Sequence, residues 1–376
     1  MRKNTMKKLI SIMLFATLSV SLLACGNSAT GGNKSDAATN DDNTQAETTE
    51  AASAEQEEKE TDTDTSDTEN AATDIPLTSS DLNVVVGEQA YMLVPIILDQ
   101  GWFDEVFGPN NISIEVAKFN NGPEMIESFT ADKLDIGFMG MQPAISGVVN
   151  DAGISVIASF LDSPSNIVIE TRKDTGITSV KDLKGKTVGT AIGCNTYSLI
   201  VKALEEEGLS VDKDVNFVNL DLSTVATALE SGEVDAVAGY AVQFEQIADM
   251  DGDIFYTIKD ATGYGISEDL IVARKEFASE HPDVVANLFV LFQRAIDFIE
   301  ENRDEAISIT AQYYGHEEAF EESRLEREIH GWIDEETLTK DIDGFIQFMY
   351  DGELIPTRPD VQDAVDFTYF KKAFGE

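Results

Sequence analysis

A chain of 376 residues with 42% hydrophobic composition is long enough to bury the cores of two lobes. Its formal net charge of −44 at pH 7 argues against nucleic acid or an anionic membrane surface as a partner. The same charge favours high solubility.

The first residues set the compartment. Arg2, Lys3, Lys7 and Lys8 form a basic start, and Leu9–Ala24 is an apolar run too short for the ~20 residues of a membrane-spanning helix. The pattern is a secretory signal, residues 1–24. Its end, Leu22-Leu23-Ala24-Cys25-Gly26, resembles the bacterial lipobox. That resemblance implies cleavage before Cys25 and lipidation of its thiol, with two or more acyl chains as a stable anchor. Cys194 is then the only thiol left, so no intrachain disulfide forms and the core must carry stability. Residues 25–80 read as a disordered acidic tether: 26–80 hold no aromatic residue and fourteen acidic against two basic side chains. Such a coil spans on the order of 40 Å, more with self-repelling charge.

From Asp81 the pattern changes. Leu82–Gly87 reads as a buried strand, Met92–Gly101 as a helix, Ile112–Phe119 as a strand and Pro123–Ala131 as a helix. Ile136–Gly140 is a short strand, Pro143–Asn150 a helix, and Ser155–Phe160 and Asn166–Glu170 two further strands. A second set follows: a helical turn at Thr178–Leu183, a strand at Lys186–Thr190, a long helix at Asn195–Glu207, a strand at Val215–Leu220, a helix at Ser223–Ser231 and a strand at Val234–Tyr240. The segments beginning at Ser128 and at Leu229 share one outline, a helix, an acidic residue and a short strand ending in Gly. The chain therefore reads as an internal repeat of α/β lobes with mostly parallel sheets. Asp269–Lys275 reads as a return strand, and the remainder is helical, with a long helix near His281–Glu300.

Several runs resemble one family: LNVVVGEQ from Leu82, GPEMIE from Gly122, LDIGFMGMQPA from Leu134, SVKDLKGKTVG from Ser179, Thr190–Ile200 and GEVDAV from Gly232. The resemblance is to the substrate-binding lipoproteins of ABC importers for sulfonate, taurine and nitrate, and it covers most of the folded chain. It implies an α/β, two-lobe, periplasmic-binding-protein-like (type II) fold with a ligand cleft between lobes. Lobe 1 is expected over 81–172 plus 268–376 and lobe 2 over 173–267, with the hinge near Glu170–Arg172 and Ile266–Leu270.

In open α/β sheets ligands sit beyond the carboxyl ends of strands, where helix N-termini offer free N–H groups and a favourable dipole. Here those loops are Glu88-Gln89-Ala90-Tyr91, Gly140-Met141-Gln142, Gly193-Cys194-Asn195-Thr196 and Tyr240 with Gln243. Asn195 or Thr196 is expected to cap the following helix, with Gly193 permitting close backbone approach. Cys194 reads as a small pocket residue rather than an activated thiol. Glu88 stands out, because no Lys or Arg occurs in the four loops to offset it. Facing the cleft, it calls for a ligand with an ammonium or several donors; facing solvent, it says nothing.

No nucleophile elbow, phosphate loop or zinc motif appears. The three histidines, His281, His316 and His330, share no metal-ligand spacing and lie outside the four cleft loops, so structural or solvated roles are expected. The reading is therefore a monomeric, lipid-anchored binding protein on the extracytoplasmic face of the cell membrane. It is not an enzyme and needs no metal or cofactor. It delivers a small-molecule solute to importer permease subunits and touches no nucleic acid. An aliphatic sulfonate or taurine-like compound ranks first as ligand. A thiamine-precursor pyrimidine follows, kept open by stacking on Tyr91, Tyr197, Tyr240, Phe244 and Tyr264. Nitrate is third. A related enzyme of thiamine-pyrimidine synthesis is disfavoured because its cysteine-rich run is missing.

Overall fold

The computed structural model describes residues 75–163, 166–241, 244, 256–257 and 268–375. The signal, Cys25 and most of the tether lie outside them. The chain enters as strand β1 (Leu82–Glu88), helices α1 (Leu93–Asp99) and α2 (Trp102–Phe107), β2 (Ile112–Lys118), α3 (Gly122–Thr130), β3 (Ile136–Gly140), α4 (Met141–Val149) and β4 (Ile154–Asp162). It continues through β5 (Ile167–Thr171), β6 (Thr187–Thr190), α5 (Asn195–Glu206), β7 (Asn216–Asn219), α6 (Val225–Ser231), β8 (Ala236–Tyr240) and β9 (Tyr256–Thr257). After β10 (Glu268–Arg274) come α7 (Lys275–Glu280), α8 (Pro282–Glu301), α9 (Arg303–Tyr314), α10 (Glu318–Leu325), β11 (Ile329–His330), α11 (Glu335–Asp351), α12 (Val361–Ala364) and α13 (Thr368–Phe374).

These elements form where local chemistry allows. β3 and β4 are buried almost throughout, as strands covered on both faces must be. α3 starts because the Asn121 side chain accepts the Glu124 N–H at 3.0 Å and Pro123 sits in the first turn. Asp334 does the same for α11, accepting from the Thr337 N–H at 2.9 Å. α8 is long because its buried stripe (Val285, Leu288, Phe289, Phe292, Ile296, Ile299) keeps helical spacing over about four turns.

Two sheets result, with strand orders β2-β1-β3-β10-β4-β11 and β7-β6-β8-β5-β9. β1 runs parallel to β2 and β3, while β10 is antiparallel to β3 and β4. β6 likewise runs parallel to β7 and β8, while β5 is antiparallel to β8 and β9. The sheets are copies of one plan, and β10 and β5 hold equivalent places in it. The expected lobe boundary at residue 172 therefore moves: β5, assigned to lobe 1, bonds within the second sheet, so the chain crosses before Ile167. The tether also ends sooner than expected. Ile75 and Leu77 pack on the first core, and Asp283 accepts the Ser79 N–H at 2.7 Å and the Ser79 hydroxyl at 2.8 Å. Two apolar side chains and a helix-terminal carboxylate are enough to bind 75–80 to the lobe.

One apolar cluster joins α1, α2, α8 and α13 to one face of the first sheet. A second covers the other face and continues into the second sheet through Ile167, Ile169, Val188, Ala236 and Ala238. α11 contributes Leu338, Ile342 and Phe345 to that shared cluster. Phe345 has no exposed surface. Replacing it with alanine should cost about 3–5 kcal/mol by loss of transfer energy and creation of a cavity. Urea denaturation should show a lower midpoint at an unchanged slope.

Candidate functional site

Between the sheets lies a cavity of about 440 Å³. Its first wall is the turn after β1, Glu88-Gln89-Ala90-Tyr91, and its second is Lys118-Phe119-Asn120 at the end of β2. Asp269 enters from β10. Tyr314, His316, Phe320, Arg324 and Glu328 arrive from the helical tail, and Asn166, Leu222, Ser223 and Tyr240 from the second lobe.

The first turn is held from both ends. Ala90 adopts the left-handed region at φ 62°, which costs a β-carbon residue about 1–2 kcal/mol. The Glu88 carboxylate accepts the Ala90 N–H at 2.8 Å, the Arg324 guanidinium donates to the Ala90 carbonyl, and Gln89 Nε2 donates to the Phe138 carbonyl at 2.9 Å. The Tyr314 hydroxyl donates to Glu88 Oε2 and also lies 3.0 Å from the Tyr91 carbonyl. Burial nonetheless pushes the Glu88 carboxyl above its ordinary range. Its other oxygen, Oε1, has no hydrogen-bond partner among the described residues.

The floor is aromatic. The Tyr91 ring meets Phe160 edge-on at 5.1 Å and Phe138 at 6.1 Å, and its hydroxyl donates to Asp269 Oδ1 at 2.8 Å. Burial raises the Asp269 carboxyl to about 7. Glu328 also rises to about 7 for the same reason, although Arg324 opposes the shift. Arg324 is itself tied down, with Nη2 2.8 Å from Glu321 Oε2 and Nε 3.5 Å from Glu328. His316 Nδ1 lies 2.5 Å from Glu321 Oε1. Next to Asp269 on the strand, and so on its opposite face, Glu268 is raised to about 9 by burial and by Asp341 beside it.

Of the residues expected at the site, Glu88, Gln89, Ala90, Tyr91 and Tyr240 line the cavity. Gln243 lies outside the described residues. Gly140, Met141, Gln142, Gly193, Cys194, Asn195 and Thr196 do not line it, and their loops pack against each other. Asn195 Oδ1 accepts the Gln142 N–H at 2.8 Å, so Asn195 serves the helix of the opposite lobe and not its own. Ser198 donates to Gln142 Oε1 at 2.5 Å, and Thr190 donates to Thr196 at 2.7 Å. A β-carbon on Gly140 would lie 2.5 Å from the Asn195 amide nitrogen, which is why glycine is needed there. Cys194 is buried, and desolvation pushes its thiol up to about 12, the reverse of an activated cysteine. Tyr197 packs on Phe217 at 5.3 Å and Phe244 is core.

Residues outside the four loops complete the cavity: His316 lines it although a structural or solvated role is expected of it, and Lys118 and Arg324 bring to Glu88 the cations that the four loops lack. Sequence reading missed them because they come from a strand end and from a tail helix more than 200 residues away. The only local signal was the Tyr313-Tyr314-Gly315-His316 run, too aromatic for an exposed helix end.

Two sheets of one plan with a cavity between them define the type II periplasmic-binding-protein fold. The alkanesulfonate-binding protein SsuA of Xanthomonas axonopodis pv. citri, solved bound to MOPS, superposes with a TM-score of 0.69 at 20% identity, over 77% of this chain and 99% of that one. A Bacillus subtilis (strain 168) protein named as aliphatic sulfonates-binding is 29% identical over 287 residues, 76% of this chain and 86% of its own length. The taurine-binding periplasmic protein of Escherichia coli (strain K12) is 24% identical over 176 residues, 46% of this chain and 53% of its own. The family profile described as NMT1/THI5 like matches residues 96–306, and the chain belongs to that family.

The buried acids give stability a definite pH dependence. Asp269, Glu328 and Glu268 bind protons more tightly when folded than when unfolded, so their contribution is present at low pH and lost as pH rises through about 7 and about 9. His330 is depressed to about 3 by burial, so its contribution is lost on acidification below its unfolded value. The melting temperature of the empty protein should fall between pH 6.5 and pH 9. Glu268→Gln should make that decline shallower; a calorimetric profile that is flat or rising over this window would contradict the assignment.

Proposed function

We propose that the chain is an extracytoplasmic solute-binding protein, anchored by lipid at Cys25, that hands a taurine-like aminosulfonate to the permease of an ABC importer. The observation that carries this reading is the cavity's mixed charge. Glu88, Asp269 and Glu328 share it with Lys118 and Arg324, in a volume suited to a small organic molecule. A bare anion would gain from the cations and be repelled by three acids, whereas a zwitterion can meet both signs. The likeness to sulfonate- and taurine-binding relatives supports the same class. Nothing in this reading requires the solute to be changed, and its release intact fits the transport role.

An aromatic heterocycle is the second reading, favoured by the rings of Tyr91, Phe119, Tyr240 and Phe320 around the cavity. An aminopyrimidine could stack on them and present a donor and an acceptor to a carboxyl that is half ionised near neutrality.

A thermal-shift panel of taurine, ethanesulfonate, nitrate and a hydroxymethyl aminopyrimidine separates these readings, because a ligand at a hundred times its Kd adds about 2.7 kcal/mol to the folded state. Taurine should give the largest shift. The largest shift with nitrate would end the zwitterion reading, and with the pyrimidine would replace it by the second. The anchor is checked apart from the ligand: in cells fed labelled fatty acid, the chain should carry label and Cys25→Ser should not.

A further inference from the structure

The cavity holds two kinds of charge. The Arg324 guanidinium donates to the Ala90 carbonyl, pairs with Glu321 at 2.8 Å and lies 3.5 Å from Glu328, while its Nε and Nη2 have no hydrogen-bond partner among the described residues. Lys118 is exposed at the rim, its Nζ 3.6 Å from the Tyr313 ring centroid. The acids are buried. Asp269 sits on β10 with the Tyr91 hydroxyl on one oxygen, and the Glu328 side chain is 7% exposed. A separate observation points the same way: Glu88 is 1% exposed, lines the same cavity, and keeps Oε1 without a hydrogen-bond partner among the described residues. A buried carboxyl oxygen left unmet is destabilising, and a donor from the ligand would remove that cost.

Resting on the aminosulfonate reading, we propose that Asp269 and Glu328, with Glu88 Oε1, form the subsite for the ligand's ammonium and reject sulfonates that lack one. The sulfonate then faces the cations of the same cavity, Lys118 and Arg324, and the cavity discriminates among sulfonates by the cationic end.

The groups facing the subsite define how it titrates. Asp269 is faced by Tyr91, Tyr240, Glu328 and Asp162, and Glu328 by Arg324, Glu321 and His330. Glu88 is faced by Tyr314, Lys118 and Arg324. With Asp269 and Glu328 raised to about 7, both are mostly protonated at pH 6 and mostly ionised at pH 8 in the empty protein. Taurine keeps its ammonium across this range, so its affinity should rise by about tenfold for each carboxyl that must ionise. Ethanesulfonate meets only the growing negative charge, so its affinity should stay level or fall.

Titration calorimetry of the full chain with taurine and with ethanesulfonate at pH 6, 7 and 8 tests this. Opposed or divergent slopes are expected, and Asp269→Asn should flatten the taurine slope. Glu328→Gln, which keeps shape and removes only charge, provides the same test should Asp269→Asn fail to fold. Equal slopes for the two sulfonates, or a folded variant with the wild-type taurine slope, would overturn the subsite while leaving sulfonate binding intact. Absence of binding by either sulfonate at every pH would overturn the ligand reading and the subsite together.

Discussion

Helix N-termini at the carboxyl ends of strands carry unpaired N–H groups that something must satisfy. In this protein the facing lobe does so along one side of the gap. The Gln142 N–H at the start of α4 is taken by Asn195 at the start of α5, and the Gln142 amide in turn accepts from Ser198. Glycine at 140 permits this close approach. With that N–H of α4 taken from the opposite lobe, the space for a ligand lies towards β1, β10 and the helical tail.

That placement sets the chemistry of the cavity. A helix end offers neutral donors and half a positive charge, whereas this cavity is walled by carboxylates and phenols together with Lys118, His316 and Arg324. Burying acids is costly, and they respond by holding protons. The strained Ala90 turn shows how tightly the wall is built: its N–H rests on Glu88 and its carbonyl on Arg324. Glu88 is therefore both a structural brace and, through Oε1, an unused acceptor.

The tail joins the lobes as well as completing the cavity. α11 supplies Leu338, Ile342 and Phe345 to the apolar cluster that runs from the first sheet into the second, while α9 and α10 bring Tyr314, His316 and Arg324 to the cavity. Stability of the lobe contact and composition of the binding wall thus depend on one stretch of chain.

Much of this architecture was legible in the chain alone. Hydrophobic periodicity located most strands and helices to within a few residues, and the likeness of the Ser128 and Leu229 segments announced two copies of one plan. Those are local properties, carried by side-chain alternation and by Gly, Pro and Asn at element ends. Strand ends nominated Glu88–Tyr91 and Tyr240 for the cavity, but the same rule nominated Gly140–Gln142 and Gly193–Thr196, which face one another across the lobe contact. Nothing near those residues records which helix end will meet a ligand and which will meet the opposite lobe. Lys118, Asp269, His316, Arg324 and Glu328 are scattered over more than 200 residues, and only Arg324 and Glu328 stand at a spacing that links them. Their meeting is decided by sheet order and by the docking of the tail, because charge and burial at a site depend on distances in space that sequence separation does not encode.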